Sequence, residues 1–135
     1  MVDLAQLRTG LKGTADLIVG EEHTAPFVGS GRVRVLATPV MINLMEAAAL
    51  DAVERLLPAG HQSLGIRLDV RHYAATPVGM RVQVTAELVK VDGRTLDFRV
   101  EARDEKDAIG DGLHQRVVVN VARFDARVQK KIPKR

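Results

Sequence analysis

The stretch Pro39-Val-Met-Ile-Asn-Leu-Met-Glu-Ala-Ala-Ala-Leu-Asp-Ala-Val-Glu-Arg-Leu-Leu57 decides the fold of this chain. It is apolar enough to predict a buried helix, with Thr38 at the capping position and Pro39 at the first helical position. Pro58 and Gly60 are the residues expected to end the helix. A helix this apolar has to be covered on most of its sides.

Most of the chain after this helix alternates between apolar and polar residues, which is typical of β-strands. Before the helix, a first strand is expected over residues 13–20, followed by a glycine-containing loop, Val28–Gly31, and a strand-like segment, Arg32–Leu36. After the helix, the predicted strands are Leu64–His72, Met80–Leu88, Leu96–Ala102 and a segment through Val117, Val119 and Val121, with a hairpin turn at Val91–Arg94.

The order of these elements predicts the fold class. One strand, one long apolar helix and four antiparallel strands indicate an α+β protein in which an antiparallel sheet wraps around one long central helix, the hot-dog fold. We expect a single domain over residues 1–129 and a solvated basic tail over residues 130–135. Because one sheet face cannot cover such a helix completely, the sequence also predicts a homodimer, with a higher oligomer left open.

Composition excludes several classes of protein. The chain has 135 residues, 46% of them hydrophobic, and no cysteine, which is enough for one sizeable core without disulfides. No apolar run is long enough to cross a membrane, and the first ten residues lack the layout of a secretion signal, which favours a cytoplasmic location. Removing the four positive charges of the last six residues from the net charge of +3 leaves −1, so nucleic-acid binding is not expected.

Glu46 is the most informative residue of the helix. At about 100° per residue its side chain projects into the apolar sector between Ile42, Leu50, Val53 and Leu57. A carboxylate in apolar surroundings is costly unless it is paired, hydrogen-bonded or protonated, so its presence favours chemistry. A structural hydrogen bond to a neighbouring backbone group is the alternative.

Two further polar residues are candidates for the same site. His72 ends an apolar strand face at the parity of Leu68 and Val70, so it is expected to look toward the helix. Thr38 places a hydroxyl at the helix N-terminus, although capping alone would explain that residue. Since Thr38 and Glu46 lie about 12 Å apart along the helix, a strand or a second subunit is needed to complete a site. The four histidines lack metal-ligand spacing, so no metal site is expected.

Five segments of the chain together resemble a known family. The sequence is similar to the hot-dog thioesterases typified by fluoroacetyl-CoA thioesterase, from about Gly13 to the start of the tail. The matching segments are Ala37–Glu46, Ser63–Gly65, Val70–Gly79, Val84–Leu88 and Gly112–Arg116.

This resemblance implies a catalytic threonine, glutamate and histidine at Thr38, Glu46 and His72, in a site at a dimer interface. It also implies that Gly65 and Arg116 line the acyl-binding end. The implied reaction is hydrolysis of a small acyl-CoA thioester, by covalent capture or by activation of water, with no cofactor other than the coenzyme A of the substrate.

The chain departs from the family at one position. A phenylalanine gate precedes the threonine in the archetype, whereas here Arg32 stands at that position and the corresponding stretch, Gly29–Arg34, contains no aromatic residue. A fluoroacetyl preference is therefore not expected, and Arg32 is a candidate for contact with a coenzyme A phosphate or an acidic acyl group. A non-catalytic acyl-CoA-binding module and an enoyl-CoA hydratase or dehydratase remain the alternatives to hydrolysis.

Overall fold

The computed structural model describes residues 2–135, which form five strands and three helices. The strands are β1 Lys12–Ile18, β2 His61–His72, β3 Arg81–Asp92, β4 Thr95–Asp104 and β5 Ala108–Asn120. The helices are α1 Ala25–Val28, α2 Thr38–Val53 and α3 Val121–Gln129, with short 3-10 turns at Glu21–His23 and Glu54–Leu56. None of the described helices is long and apolar enough to cross a bilayer.

All five strands belong to one antiparallel sheet, in the order β1-β3-β4-β5-β2. Helix α2 packs against β1, β2, β3 and β4, which confirms the predicted sheet around one long central helix. The helix buries one face, made by Met41, Leu44, Met45, Ala48, Ala49, Ala52 and Val53. The alternation in β3 and β4 is confirmed as well, since Val82, Val84, Ala86, Leu88, Leu96, Phe98, Val100 and Ala102 are all buried.

The first strand lies directly on the backbone of α2. A β-carbon at Gly13 would collide with the carbonyl of Ala48 and the amide of Ala52, so only glycine allows this approach. The carboxylate of Asp51 then accepts a hydrogen bond from the Thr14 amide at 2.9 Å. These contacts hold the helix in position relative to the sheet.

Both ends of α2 differ from the prediction. The residue at the N-cap is Ala37, whose side chain makes no capping hydrogen bond, and Thr38 is the first helical residue. The prediction that Thr38 caps the helix is therefore wrong, and its hydroxyl is available for another partner. At the other end the α-helix stops at Val53 rather than at Leu57 and a 3-10 turn follows. Leu57 is extended, because Pro58 disfavours helical geometry in the residue before it.

A β-bulge in β2 changes which of its residues face the helix. The register against β5 shifts between Gly65 and Arg67, so Ser63 and Gly65 point inward before the shift and His72 points inward after it. The predicted unbroken alternation from Leu64 to His72 is wrong at its start, because an extra residue in one strand reverses the parity. The inward direction predicted for His72 is confirmed.

Two segments have a secondary structure that the pattern did not predict. Residues 32–36 form bends with one bridge, between Leu36 and Thr24, instead of a strand. Val121 opens α3 instead of extending β5, because the side chain of Asn120 caps that helix by accepting a hydrogen bond from the Arg123 amide. Residues 130–135 are exposed and lie outside every helix and strand.

Candidate active site

Thr38 and His72 form the first polar cluster. The hydroxyl oxygen of Thr38 lies 2.7 Å from Nδ1 of His72, so α2 and the end of β2 are joined by a hydrogen bond. The two residues line a cavity of about 350 Å³ whose wall also includes Arg32 and Tyr73. The structure therefore brings together Thr38, His72 and Arg32, three of the residues predicted to form the site.

The surroundings of His72 favour its neutral form. Burial lowers the pKa of this imidazole from its ordinary value of 6.5, and the neighbouring Ala74 backbone opposes that shift. A neutral imidazole has one donor and one acceptor nitrogen. Since Nε2 is buried and has no hydrogen-bond partner within residues 2–135, that nitrogen is free to serve a substrate or a water molecule.

Glu46 belongs to a second cluster, on the side of α2 that the sheet leaves open. Its side chain is 38% exposed, and one carboxylate oxygen lies 3.5 Å from Nη1 of Arg116. The surrounding apolar sector predicted for Glu46 is only partly closed in a single chain, because Ile42, Ala47 and Leu50 lie on the open side. Arg116 itself is only 4% exposed.

Gly65 faces both members of this second cluster. A β-carbon at position 65 would lie 2.5 Å from the Glu46 carboxylate, 3.1 Å from the His114 ring and 3.4 Å from the Arg116 guanidinium. The absence of a side chain at Gly65 thus leaves the space in which three polar groups converge. Gly65 and Arg116, which were both expected at the acyl-binding end, lie beside each other, and their contact with an acyl group stays a prediction.

Sequence reasoning missed the partners of Arg116. Its guanidinium donates to the hydroxyl and the carbonyl of Ser63, at 2.8 Å and 3.0 Å, and contacts Nε2 of His114 at 3.1 Å. Ser63 in turn contacts Glu54. The shared parity of His114, Arg116 and Val118 in β5 is the signal that could have found them.

The two clusters do not meet within one chain. Among the described residues no hydrogen bond joins Glu46 to Thr38 or to His72, and Glu46 follows Thr38 by eight positions along the helix, a rise of about 12 Å. No group of three histidine or carboxylate side chains in residues 2–135 is arranged to hold a metal ion.

The space at Gly65 leads to a testable prediction. In Gly65→Ala the new methyl group displaces the Glu46 carboxylate, a flexible side-chain end, so we expect an intact fold with kcat/KM for acyl-CoA lowered at least about tenfold. Thiol release and thermal unfolding measure the two effects. Wild-type activity in Gly65→Ala would contradict the convergence described above.

Comparison with solved structures places this fold among the hot-dog thioesterases. A structure of the fluoroacetyl-CoA thioesterase FlK superposes with a TM-score of 0.88 at 40% sequence identity, covering 94% of this chain and 98% of that one. A thioesterase-superfamily protein from Thermus thermophilus superposes with a TM-score of 0.85 at 32% identity, covering 91% of each chain.

Sequence comparison narrows the class to a family. The pattern of the fluoroacetyl-CoA-specific thioesterase family matches residues 19–122, and the chain belongs to that family. A fluoroacetyl-CoA thioesterase from Streptantibioticus cattleyicolor is 48% identical over 99 residues, which are 73% of this chain and 71% of the relative. These findings confirm the family and the fold expected from the sequence.

Proposed function

We propose that this chain hydrolyses small acyl-CoA thioesters as a homodimer, with Thr38 and His72 of one subunit and Glu46 of the other in each active site. Membership of a thioesterase family supports the reaction. The observation that carries the assignment of residues is the 2.7 Å contact between Thr38 and His72. The Thr38 hydroxyl does not cap α2, so it is available for this contact with His72.

The roles follow from the chemistry of a thioester. In the direct route, water attacks the thioester carbonyl carbon and the carbon–sulfur bond breaks, while neutral His72 takes a proton from water and gives it to the departing thiolate to form coenzyme A. In the covalent route, the Glu46 carboxylate attacks first, and the carbon–sulfur bond breaks to give an acyl anhydride and a thiolate that takes its proton from solvent. Water deprotonated by His72 then cleaves the anhydride, which gives the carboxylic acid and frees the Glu46 carboxylate. The Thr38 hydroxyl orients the imidazole, and the nearby N-terminus of α2 favours the developing oxyanion. Acyl-CoA and water are the only reactants required.

The cavity supports acyl-CoA rather than specifically fluoroacetyl-CoA as the substrate. Arg32 lines it at the position where the family archetype has its aromatic gate. An exposed guanidinium at the mouth of the cavity suits a phosphate of coenzyme A or an acidic acyl group. It does not provide the apolar contact of a phenylalanine ring.

The exposed edge of the sheet supports the dimer. Strand β2 is an edge strand of twelve residues, and Leu64, Ile66 and Leu68 along it are 38%, 53% and 37% exposed. A long apolar edge of this kind needs a partner. Antiparallel pairing of two copies of β2 about an axis near Leu68 would bring the Gly65 end of each copy, with its Glu46, beside the His72 end of the other.

The reaction is tested with a panel of acyl-CoAs in a thiol-release assay. We expect turnover of short acyl chains, without the preference for a fluorinated acyl group that an aromatic gate would confer. Binding of acyl-CoA in a calorimeter with no thiol released from any member of the panel would instead indicate a binding module. A change in enoyl-CoA absorbance without thiol release would indicate a hydratase.

The shared site is tested by mixing two inactive variants. When Glu46→Gln and His72→Ala proteins are unfolded and refolded together, half of the dimers are hybrids, and each hybrid has one intact site out of two. We therefore expect about a quarter of the wild-type activity, whereas each variant refolded alone should keep no more than about a hundredth of it. A mixture no more active than its components would place Glu46 and His72 of one site in the same chain.

A further inference from the structure

We propose that Ser63 and Glu54 are positioning residues that hold Arg116 at the acyl-binding end of the site. This inference deepens the proposed function and rests on it, since Arg116 matters to turnover only if Glu46 and Gly65 border the acyl group. Neither Ser63 nor Glu54 contacts the Thr38–His72 cluster. Their effect has to pass through Arg116.

The hydrogen bonds of Ser63 have a defined direction. A guanidinium can only donate, so the Ser63 hydroxyl accepts from Nε of Arg116 at 2.8 Å and must give its own proton to the Glu54 carboxylate at 2.6 Å. Glu54 also accepts from the Ser63 amide at 2.9 Å, while Nη2 of Arg116 donates to the Ser63 carbonyl at 3.0 Å. Ser63 thus donates two hydrogen bonds to Glu54, from its amide and its hydroxyl, and accepts two from Arg116, at its hydroxyl and its carbonyl.

His114 fixes the remaining edge of the guanidinium in the same way. Nη1 of Arg116 donates to Nε2 of His114, so Nδ1 carries the proton and donates to the Arg67 carbonyl at 2.8 Å. Burial lowers the pKa of His114, and the charge of Arg116 lowers it further against the opposing influence of Glu46 and the Arg67 carbonyl. A neutral His114 is the acceptor that Arg116 needs.

The charge of Arg116 explains why this support is needed. Burial lowers the pKa of the guanidinium, and the charges of Glu54 and Glu46 oppose that shift. Glu54 therefore places negative charge near Arg116 without contacting it, because the Ser63 hydroxyl lies between them. This arrangement keeps Arg116 in a contact of 3.5 Å with Glu46, longer than a direct ion pair of good geometry. Without Ser63 or Glu54, we expect the guanidinium to move onto the Glu46 carboxylate and into the space beside Gly65.

Two substitutions test the positioning role. In Ser63→Ala and Glu54→Gln we expect kcat/KM for acetyl-CoA to fall by about ten- to a hundredfold, the range for a lost hydrogen bond to a charged group. Inhibition by free coenzyme A should stay unchanged, because the coenzyme end of the site is not disturbed. Ser63→Thr keeps the hydroxyl and should restore activity. Asp51→Asn is the control, since Asp51 lies on α2 and its carboxylate accepts a hydrogen bond from the Thr14 amide rather than from Ser63.

A double-mutant cycle shows whether the effect passes through Arg116. In an Arg116→Lys background, Ser63→Ala should change kcat/KM less than about twofold, because contacting residues that act as a unit are not additive. The inference would be overturned if Ser63→Ala lowered kcat/KM by the same factor in the Arg116→Lys background as in the wild type. Wild-type kinetics in both Ser63→Ala and Glu54→Gln would also overturn it, and either result would leave hydrolysis intact. If the wild type released no thiol, the proposed function would fail. The positioning role would then be decided by affinity for a non-hydrolysable ketone analogue of acetyl-CoA, measured for the same single and double variants.

Discussion

Replacing Glu46 by glutamine is expected to lower kcat/KM for short acyl-CoAs by about 10²- to 10⁴-fold, the range for loss of a group that activates or supplies the nucleophile. The amide keeps the shape of the side chain but cannot attack a carbonyl or take a proton from water. Since Glu46 is partly exposed and its contact with Arg116 is long, the substitution should leave the fold intact. Thiol release measures the loss, and thermal unfolding checks the fold.

The control for this experiment lies on the same helix. Asp51→Asn also removes one carboxylate charge from α2, but Asp51 contacts the Thr14 amide rather than the second cluster. We expect it to keep wild-type kcat/KM. If Glu46→Gln were as active as Asp51→Asn, Glu46 would have no catalytic role and would serve only to pair with Arg116.

The alternation of apolar and polar residues predicted the buried face of a strand correctly wherever the strand is regular. In β3 and β4 the strict alternation from Val82 and from Leu96 gave the correct buried face, because strand geometry alone determines it. The same reasoning failed in β2, where the bulge after Gly65 reverses the parity. A bulge is a feature of pairing with β5 and leaves no clear mark in the alternation of one strand.

For the candidate site, the sequence predicted individual residues but not most of the contacts between them. The Thr38 hydroxyl and the His72 imidazole are in contact, and the resemblance to the family had implied both residues as parts of one site. The tethering of Arg116 by Ser63 and Glu54 was not predictable in this way. Glu54 follows α2 on what the helical pattern describes as a solvated face, and only the packing of the 3-10 turn against β2 gives it a partner.

Removing the imidazole of His72 should have an effect as large as that of Glu46→Gln. If His72 takes the proton from water, His72→Ala is expected to lower kcat/KM by about 10²- to 10⁴-fold. The fold should persist, because the hydrogen bond that is lost is the one between the imidazole and Thr38. His61→Ala is the matched control, since His61 lies at the start of the same strand and its imidazole hydrogen-bonds with the Ala59 carbonyl rather than with Thr38.

The pH dependence separates a general base from a residue that only shapes the site. A base works in its neutral form, and burial lowers the pKa of His72 below 6.5, so kcat/KM should be constant through neutral pH and fall only below that ordinary value. On the acid side of the lowered pKa the loss approaches about tenfold per pH unit, as protonation removes the acceptor. The residual activity of His72→Ala should lack this acid limb, whereas His61→Ala should retain it. An acid limb above pH 6.5, or one that survives in His72→Ala, would assign the proton transfer to another group.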